Sequence, residues 1–428
     1  MKKILAIVLA LVFVLSMAAF AEGNKTTVTI WHTFTKDQEA YLVKAANDFN
    51  ASQNEYYVEV LSQDYSGFTN TVKSAVRSGN GPDIIFNYAS EAAEYVDDGL
   101  VADLSQYIYA DEEFSAAFDT SLAQGIMDGE VNGFSDGTIH YLPAYTTGPI
   151  LFYNKTLYDE LGLSVPTTWE EMEANCKVIK EQKGIAGLGF DSLVDCLQGF
   201  IMEDETATYI NVEEKTVGFD TESVKATIQW LVDCANNGYF MLQSSGNYFS
   251  EDFNSGIVAS YIGSCAGYPY ITPDGFEFDV APMPATTWYP SWNRGPIVFY
   301  YGKDASGDAL AAADARAEGA YEFIKYFISA DVNLGWVQAV NALAPYSWTQ
   351  ELEGYKEYVA QDTLAVKSLN AVGAHLDIAG SLPAVTGAST VRNEIKDAVL
   401  NVVNNGMTVE DAWAQCVANC NTALGGAQ

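Results

Sequence analysis

The segment from residue 26 to residue 88 alternates between two kinds of sequence pattern. "TTVTIWH", "YYVEVL" and "PDIIFNY" contain short runs rich in β-branched and aromatic residues, which are typical of strands. Between them lie two longer segments. In the first, Leu42, Ala45 and Phe49 share one helical face, and the second covers residues 68–77. This strand–helix–strand–helix–strand order predicts a parallel sheet with helices on both faces.

The rest of the chain follows a similar plan. "GPILFYNK" reads as a buried strand, and "ESVKATIQWLVDCANNG" reads as a helix that Gly238 closes. Two predicted helices begin at a capping box, Thr35 with Gln38 and Thr168 with Glu171. We therefore expect two α/β units, without a residue-level repeat between them.

The segment "IHYLPAYTTGPILFYNK", residues 139–155, differs from an ordinary linker. It is extended, contains Pro143 and Pro149, and carries aromatic residues where a pure spacer would have Gly, Ser and charges. Residues 281–292 have the same character. We interpret both segments as strands that cross between two lobes, with Tyr145, Thr146 and Thr147 facing a cleft.

The N-terminus has the features of a secretory signal peptide. Lys2 and Lys3 precede an apolar run from Ile4 to Leu15, and Ala19-Phe20-Ala21 is an A-x-A cleavage pattern. The run is too short to be a stable membrane span, although an N-terminal anchor helix is the alternative. Because no cysteine follows the cleavage site, we expect a freely diffusing periplasmic protein without a lipid anchor or stable membrane insertion.

Length and charge limit the remaining possibilities. The 407 residues that follow residue 21 of the 428 are too many for one ordinary core, so two lobes are expected. The formal charge is −35, and −37 without the two lysines of the signal peptide, which argues against binding to nucleic acid or anionic membranes. The irregular spacing of the six cysteines predicts scattered core residues rather than a disulfide framework. These are Cys176, Cys196, Cys234, Cys265, Cys416 and Cys420.

Catalytic signatures are missing from the sequence. Its three histidines have no metal-ligand spacing, there is no G-x-S-x-G or Walker A motif, and "GLGFDS" lacks the third glycine of a dinucleotide fingerprint. We therefore predict no catalytic residue, no metal and no cofactor, and a protein that is not an enzyme. With 56 acidic residues in the chain, a secreted glycosidase that uses a pair of carboxyl groups stays an alternative.

The positive signal is a set of aromatic and neutral polar residues at predicted strand ends. Ligands of parallel sheets gather at the carboxyl ends of the strands, and aromatic faces stack on the apolar faces of sugar rings. Any single tyrosine or tryptophan could instead be a core residue. The set consists of Tyr65, Tyr88, Tyr145, Thr146, Thr147, Tyr268, Trp288 and Trp292.

Several segments, in order along the chain, resemble the landmarks of one protein family. "TVTIWHTFTKDQEAYLVKAANDFN", "SGNGPDIIF", "YLPAYTTGPILFYNK…PTTWEEM", "FNSGIVASYIGS", "APMP" and "WVQAVNALAPY" are similar to extracellular solute-binding proteins of bacterial ABC importers. The branch is the carbohydrate one, which includes maltose and glycerol-phosphate binding proteins. The resemblance implies two α/β lobes, each a sheet flanked by helices, joined by crossing hinge strands with the ligand in the cleft.

The resemblance also implies where the ligand binds. Asp83 is expected to brace its strand rather than to touch ligand. The ligand-binding residues implied are His32, Thr33, Tyr65, Asn87, Tyr88, Tyr145, Thr146, Asp191, Gly263, Ser264, Trp292 and Arg294.

Two departures from the glycerol-phosphate binders argue against phosphate as the recognised group. Ala384 stands near the place of a family arginine, and Leu343 replaces a tyrosine of the family motif. Arg294 and Arg392 keep a phosphorylated ligand as an alternative.

The sequence therefore predicts the binding component of an ABC importer that captures a mono- or oligosaccharide by hinge closure and delivers it to the permease subunits. The alternatives are a polyol or sugar-phosphate binder, a glycosidase, and a scaffold or adhesin without a small-ligand site. We expect a monomer. The predicted domains are the signal peptide at 1–21, a first lobe at 22–146 and 286–340, and a second lobe at 147–285 and 341–428.

Overall fold

The computed structural model describes residues 25–64, 67–246 and 248–425. The predicted signal peptide and Tyr65 lie outside these ranges. The chain divides into two compact units. The first contains residues up to Ile85 together with Val298–Phe327, and the second contains Phe86–Ile297 and the residues from Ile328 onward. The lobe boundaries expected at residues 146, 285 and 340 stay a prediction.

The strands of the described ranges are short. In chain order they are β1 (Thr26–His32), β2 (Tyr56–Ser62), β3 (Ile84–Asn87), β4 (Tyr145–Thr147), β5 (Pro149–Asn154), β6 (Leu188–Phe190), β7 (Thr208–Asn211), β8 (Thr216–Gly218), β9 (Phe240–Met241), β10 (Ser260–Ser264), β11 (Phe278–Pro282), β12 (Tyr289–Pro290), β13 (Trp292–Val298) and β14 (Ala379–Gly380).

The α-helices of the same ranges vary from one turn to five turns. They are α1 (Asp37–Ser52), α2 (Phe68–Arg77), α3 (Ala89–Val96), α4 (Ser105–Ile108), α5 (Glu112–Phe118), α6 (Gln124–Ile126), α7 (Lys155–Leu161), α8 (Trp169–Lys183), α9 (Leu193–Met202), α10 (Glu222–Asn236), α11 (Phe249–Asn254), α12 (Asp308–Phe327), α13 (Ala330–Val340), α14 (Ser347–Gln350), α15 (Glu353–Val359), α16 (Leu364–Gly373), α17 (Ala388–Asn405) and α18 (Val409–Leu424). A π-helical turn, Met127–Val131, follows α6, and 3₁₀ turns cover Cys265–Tyr270 and Leu376–Ile378.

The first unit has the predicted parallel sheet. Strand β1 pairs in parallel with β2 and with β3, and the residues that face each other are mainly apolar. Helices α1 and α12 pack beside it, with the rings of Phe49 and Phe323 5.5 Å apart in an edge-to-face arrangement. Leu42, Ala45 and Phe49 are buried on one face of α1, as their spacing predicts.

The second unit contains a mixed sheet with the strand order β11-β5-β10-β6-β9. Strand β5 is antiparallel to both of its neighbours, whereas β6 is parallel to β10 and β9. Every residue of β5 is buried, which confirms that "GPILFYNK" contains a core strand. Strand β4, from the aromatic crossing segment, pairs antiparallel with β13, so that Thr147 lies opposite Trp292.

The two predicted capping boxes have different outcomes. Helix α8 begins as predicted, because the Thr168 hydroxyl accepts a hydrogen bond from the Glu171 amide at 3.2 Å. The capping box at Thr35 is wrong. Helix α1 begins at Asp37 after Lys36, whose φ of 55° belongs to the left-handed region, and no side chain caps it.

The six cysteines are buried and free, which confirms their interpretation as core residues. The Sγ atoms of Cys416 and Cys420, one helical turn apart in α18, approach to 3.8 Å. Within the described ranges, no helix combines the length and the apolar character that crossing a bilayer requires.

Candidate ligand-binding site

The second unit contains a cavity of about 470 Å³, within the range of small-molecule sites. All of its lining residues belong to that unit. They are Tyr88, Ala89, Ser90, Glu91, Glu130, Asp195, Gln198, Pro290, Ser291, Trp292, Ser381, Leu382, Ala388, Ser389, Arg392 and Asn393.

One wall of the cavity follows from strand pairing. Strands β12 and β14 are parallel, with Pro290 opposite Gly380. Because the carboxyl ends of parallel strands lie at the same edge, the residues that follow each strand come together there. Ser291 and Trp292 follow β12, and Ser381 follows β14.

A hydrogen-bonded polar cluster joins two helices and this wall. Asp195 and Gln198 are three positions apart on α9 and therefore share one face. Arg392, from α17, donates to Asp195 Oδ1 at 2.9 Å and to Gln198 Oε1 at 3.2 Å. The Trp292 indole N–H donates to the same Asp195 oxygen at 3.1 Å. The buried Asp195 carboxylate is thereby matched by one cation and one neutral donor, as burial of a charge requires.

An aromatic ring supported by an arginine forms another part of the lining. Tyr88 precedes α3 and is 40% exposed, so its ring is accessible from the cavity. The Arg294 guanidinium carbon lies 5.5 Å from the centre of this ring, in a cation–π arrangement. Arg294 also donates to the Phe86 carbonyl oxygen at 3.2 Å, which helps to hold the guanidinium beside the Tyr88 ring.

A buried carboxyl group lies in the same lining. Glu130 belongs to the π-helical turn and is 5% exposed. Burial raises the pKa of its carboxyl group to about 8, although the neighbouring Asn293 and Ser381 side chains act in the opposite direction. Single π-helical turns inside helices frequently occur at functional sites.

Two of the predicted ligand-binding residues, Tyr88 and Trp292, line this cavity. Arg294 contacts the ring of Tyr88 but does not itself line the cavity. Tyr145 is 8% exposed and packs edge-to-face against Trp336, and burial raises the pKa of Tyr145 to about 12. The side chain of Asn87, at the end of β3, accepts a hydrogen bond from the Tyr88 amide at 3.0 Å.

The other predicted residues of the second unit lie elsewhere in it. The Thr146 hydroxyl is fully buried and donates to Asn293 Oδ1 at 2.6 Å. Asp191, after β6, accepts from the Phe249 amide at 2.7 Å, and burial raises the pKa of its carboxyl group. Gly263 and Ser264 end β10, the parallel neighbour of β6, so they lie near Asp191.

The first unit contains the remaining predicted residues. His32 ends β1, is 2% exposed, and accepts from the Phe34 amide at 3.1 Å through Nδ1; burial lowers the pKa of its imidazole. Thr33 follows it and is half-buried. Asp83 accepts from the amide and the hydroxyl of Thr29 and pairs with Arg316, which confirms its bracing role. The ligand-binding role of the whole predicted set stays a prediction.

Sequence reasoning missed most of the polar lining, including Glu130, Asp195, Gln198 and Ser381. One signal was present: Asp195 and Gln198 are polar residues spaced by three in the otherwise apolar helix "LVDCLQGFIM". No comparable pattern marks Glu130. Among the residues that the structure describes, no group of three or more His, Cys, Asp and Glu side chains could hold a metal ion.

Comparison with curated proteins finds relatives of nearly the same extent. The sn-glycerol-3-phosphate-binding periplasmic protein UgpB of Brucella melitensis biotype 1 is 24% identical over 378 residues, 83% of this chain and 83% of that protein. Its counterpart from Rhizobium meliloti is 24% identical over 367 residues, 81% and 82% of the two chains.

Solved structures of other proteins have the same fold as this chain. The cyclic α-maltosyl-1,6-maltose binding protein from Arthrobacter globiformis has a TM-score of 0.77 at 19% identity, covering 94% of this chain and 99% of its own. The sugar-binding protein MalE of Xanthomonas citri has a TM-score of 0.75 at 18% identity, covering 94% and 98%. Both similarities confirm the predicted α/β fold.

The family of this protein follows from the match of its sequence to a family profile. The profile of the bacterial extracellular solute-binding proteins matches residues 44–360, which is most of the chain. The match includes strands β2 and β3 of the first unit, the aromatic crossing segment and helix α9. This protein is a member of the bacterial extracellular solute-binding protein family.

Proposed function

We propose that this chain is the periplasmic binding component of an ABC importer and that it captures a sugar in the cavity of the second unit. The observation that carries the proposal is the combination of the Tyr88 and Trp292 aromatic groups with the Asp195–Arg392–Gln198 cluster. Aromatic faces suit the apolar faces of a sugar ring, and the polar cluster supplies donors and acceptors for its hydroxyl groups.

The charge of the lining supports a neutral ligand. Two carboxylates, Glu91 and Asp195, line the cavity together with one arginine, Arg392, and with Glu130, whose pKa burial raises to about 8. The arginine is already engaged by Asp195 and Gln198, so little positive charge is left for an anion. A sugar without a phosphate group avoids repulsion from the carboxylates.

A sugar phosphate or polyol phosphate is the second candidate. Arg392 and the first turn of α17, represented by Ala388 and Ser389, line the cavity, and helix N-termini favour anions. The curated relatives carry the name of glycerol 3-phosphate. For such a ligand, Arg392 would have to exchange its contact with Asp195 for one with phosphate.

A thermal-shift and calorimetry panel separates these candidates. Maltose, maltotriose, D-tagatose and sn-glycerol 3-phosphate are added singly to the protein at pH 7. A ligand at about 1,000 times its dissociation constant stabilises the folded state by about 4 kcal/mol, so a true ligand raises the melting temperature clearly. We expect a shift with a neutral sugar that 20 mM inorganic phosphate does not diminish. A shift with sn-glycerol 3-phosphate alone, suppressed by phosphate, would favour the second candidate.

Product analysis after the same incubation tests the glycosidase alternative. Glu130, with its raised pKa, and Asp195 line one cavity, and a glycosidase needs a carboxylic acid and a second carboxylate. Asp195 is held by Arg392 and Trp292, which favours a binding role for it. A sugar recovered unchanged after overnight incubation supports a receptor, whereas hydrolysed sugar would overturn that function.

A matched pair of variants tests the location. Tyr88→Ala removes an aromatic face from the cavity, and we expect the dissociation constant of the bound sugar to rise about tenfold. Tyr270→Ala removes a tyrosine that is 72% exposed and does not line the cavity, so it should leave binding unchanged. Equal effects of the two variants would contradict the placement of the ligand.

A further inference from the structure

The loop before strand β12 is held by one carboxylate oxygen at the end of helix α9. Glu203 Oε1 accepts hydrogen bonds from the Thr286 amide, from the Thr286 hydroxyl at 2.9 Å and from the Thr287 amide at 3.0 Å. The Trp288 amide donates to the same oxygen at 3.4 Å. Consecutive backbone N–H groups that point to one place form an anion-binding concavity, and here the anion is a side chain of the same unit. Hydrogen bonds to a carboxylate are stronger than those between neutral groups, so this loop is firmly attached to α9.

Helix α9 holds the other end of the same segment through a second carboxylate. The Trp292 indole N–H donates to Asp195 Oδ1 at 3.1 Å. Glu203 continues the last turn of α9, since its amide donates to the Gly199 carbonyl oxygen at 2.9 Å, and it follows Asp195 by eight positions, about 12 Å along a helix. Trp292 follows Trp288 by four positions, about 13 Å in an extended chain. The two spans match, and β12, between the two anchors, packs against α9.

The segment between these anchors builds one wall of the cavity. Pro290, Ser291 and Trp292 line it. Pro290 pairs with Gly380 of β14, and the Ser291 amide donates to the Gly380 carbonyl oxygen at 3.0 Å. A Cβ atom added to Gly380 would lie 2.3 Å from the Trp288 indole nitrogen, so the Trp288 side chain lies directly against β14. The position of the loop at residues 286–288 is therefore transmitted to both strands of the wall.

We propose that Glu203 is a positioning residue for the cavity, whose carboxylate fixes the loop at residues 286–288 and thereby sets the orientation of the Trp292 ring. Glu203 does not line the cavity, so it acts through the segment and not through contact with a ligand. An aromatic ring supports a sugar only when its face is presented at the right depth, and a displacement of about 1 Å is enough to weaken a site. The inference rests on the proposed function only in this last step, in which the ring contacts a sugar.

The positioning itself is measured without a ligand, on Glu203→Ala, Glu203→Gln and the control Glu205→Ala. Glu205 is exposed and lies two positions further along the chain. The readouts are hydrogen exchange of the amides at residues 286–288 and the indole N–H resonance of Trp292, assigned with Trp292→Phe. In Glu203→Ala we expect these amides to exchange about tenfold faster and the indole resonance to shift. Glu203→Gln keeps a side-chain oxygen that accepts hydrogen bonds, so it should resemble wild type, as should Glu205→Ala.

Calorimetry measures the consequence for binding, starting with maltotriose and using the sugar of the panel that binds most tightly. Glu203→Ala should raise the dissociation constant about tenfold, whereas Glu203→Gln and Glu205→Ala should stay within about twofold of wild type. Thermal melting establishes that each variant is folded. If Glu203→Ala does not fold, Glu203→Asp takes its place, because its shorter side chain withdraws the carboxylate from the loop amides.

The outcomes separate this inference from the proposed function. If the amides at residues 286–288 exchange faster in Glu203→Ala but the Trp292 indole resonance does not move, Glu203 only braces the loop and the positioning role is refuted. A folded Glu203→Ala that binds the sugar as tightly as wild type refutes it as well, and so does a Glu203→Gln as weak as Glu203→Ala. If wild type binds no sugar of the panel, the proposed function fails, and the exchange and indole measurements still decide whether Glu203 orients Trp292.

Discussion

The raised pKa of the Glu130 carboxyl group predicts how the free energy of unfolding changes with pH. The pKa of this group is about 8 in the folded protein and 4.5 as the ordinary value. An acid with a raised folded pKa binds its proton more tightly in the folded state than in the unfolded state. Its contribution to stability is therefore fully present below pH 4.5, is lost as the pH rises towards 8, and stays lost above that.

The magnitude follows from the size of the shift. One pKa unit corresponds to 1.36 kcal/mol, and pH 7 lies about 2.5 units above the ordinary value, so about 3 kcal/mol is lost by pH 7. Glu130→Gln has the same shape and does not titrate. We expect the difference in the free energy of unfolding, variant minus wild type, to be about 3 kcal/mol larger at pH 7 than at pH 4, because only wild type loses stability over this range.

Urea unfolding of wild type and Glu130→Gln at pH 4, 6, 7 and 8, without sugar, measures this difference. The difference in unfolding free energy between variant and wild type is taken at each pH. Comparing this difference at two pH values removes the effect of exchanging an oxygen for an amide nitrogen, because that effect does not depend on pH. Glu171→Gln is the matched control. Glu171 is exposed, and hydrogen bonds from Thr167 lower the pKa of its carboxylate, so the difference between this variant and wild type should not change between pH 6 and pH 8.

One result would refute the reasoning. If the stability difference between wild type and Glu130→Gln is the same at pH 4 and pH 8, burial does not hold the Glu130 proton.

Three further predictions concern the stability of the second unit and are measured by urea or thermal unfolding. Gly129→Ala should lose about 1–3 kcal/mol, since the new Cβ would lie 2.4 Å from a backbone carbonyl oxygen. Gly199→Ala in helix α9, where a Cβ meets open space, should be neutral or gain up to about 1 kcal/mol; equal melting of the two variants would contradict the close approach. Arg392→Met should lose about 3–5 kcal/mol by leaving the buried Asp195 carboxylate without its cation, and adding Asp195→Asn should restore part of this; a loss below about 1 kcal/mol would show that the pair is solvated. Thr168→Ala should lose about 1 kcal/mol through its helix cap, and an unchanged midpoint would contradict the cap.

The fold was predictable wherever its signals are local. The strand "TTVTIWH", the helix with Leu42 and Phe49 on one face, and the cap at Thr168 depend on residues within a few positions of one another. The capping box at Thr35 failed although the pattern was present, because the chain enters α1 through Lys36, whose φ is positive, and no side-chain hydrogen bond caps the helix there. A short pattern therefore predicts a cap only where the preceding backbone is extended.

The candidate site was predictable in part. Tyr88 and Trp292 were found because aromatic residues stand out at strand ends. Arg392 and Asp195, which meet at 2.9 Å, are separated by 197 positions, and no periodicity relates them. The parallel pairing of β12 with β14 that brings Ser291 and Ser381 together is likewise a long-range feature.

By itself, the sequence determined the resemblance to a family, the two α/β units and two of the aromatic residues that line the cavity, Tyr88 and Trp292. The two units follow from hydrophobic periodicity and turn residues, which are properties of neighbouring residues, whereas the family follows from the resemblance of whole segments in order along the chain. Only the tertiary structure decided which polar groups share a cavity and that burial raises the pKa of the Glu130 carboxyl group. The physical reason is that a pKa and a hydrogen-bond partner depend on burial and distance, and both are set only when remote segments pack together.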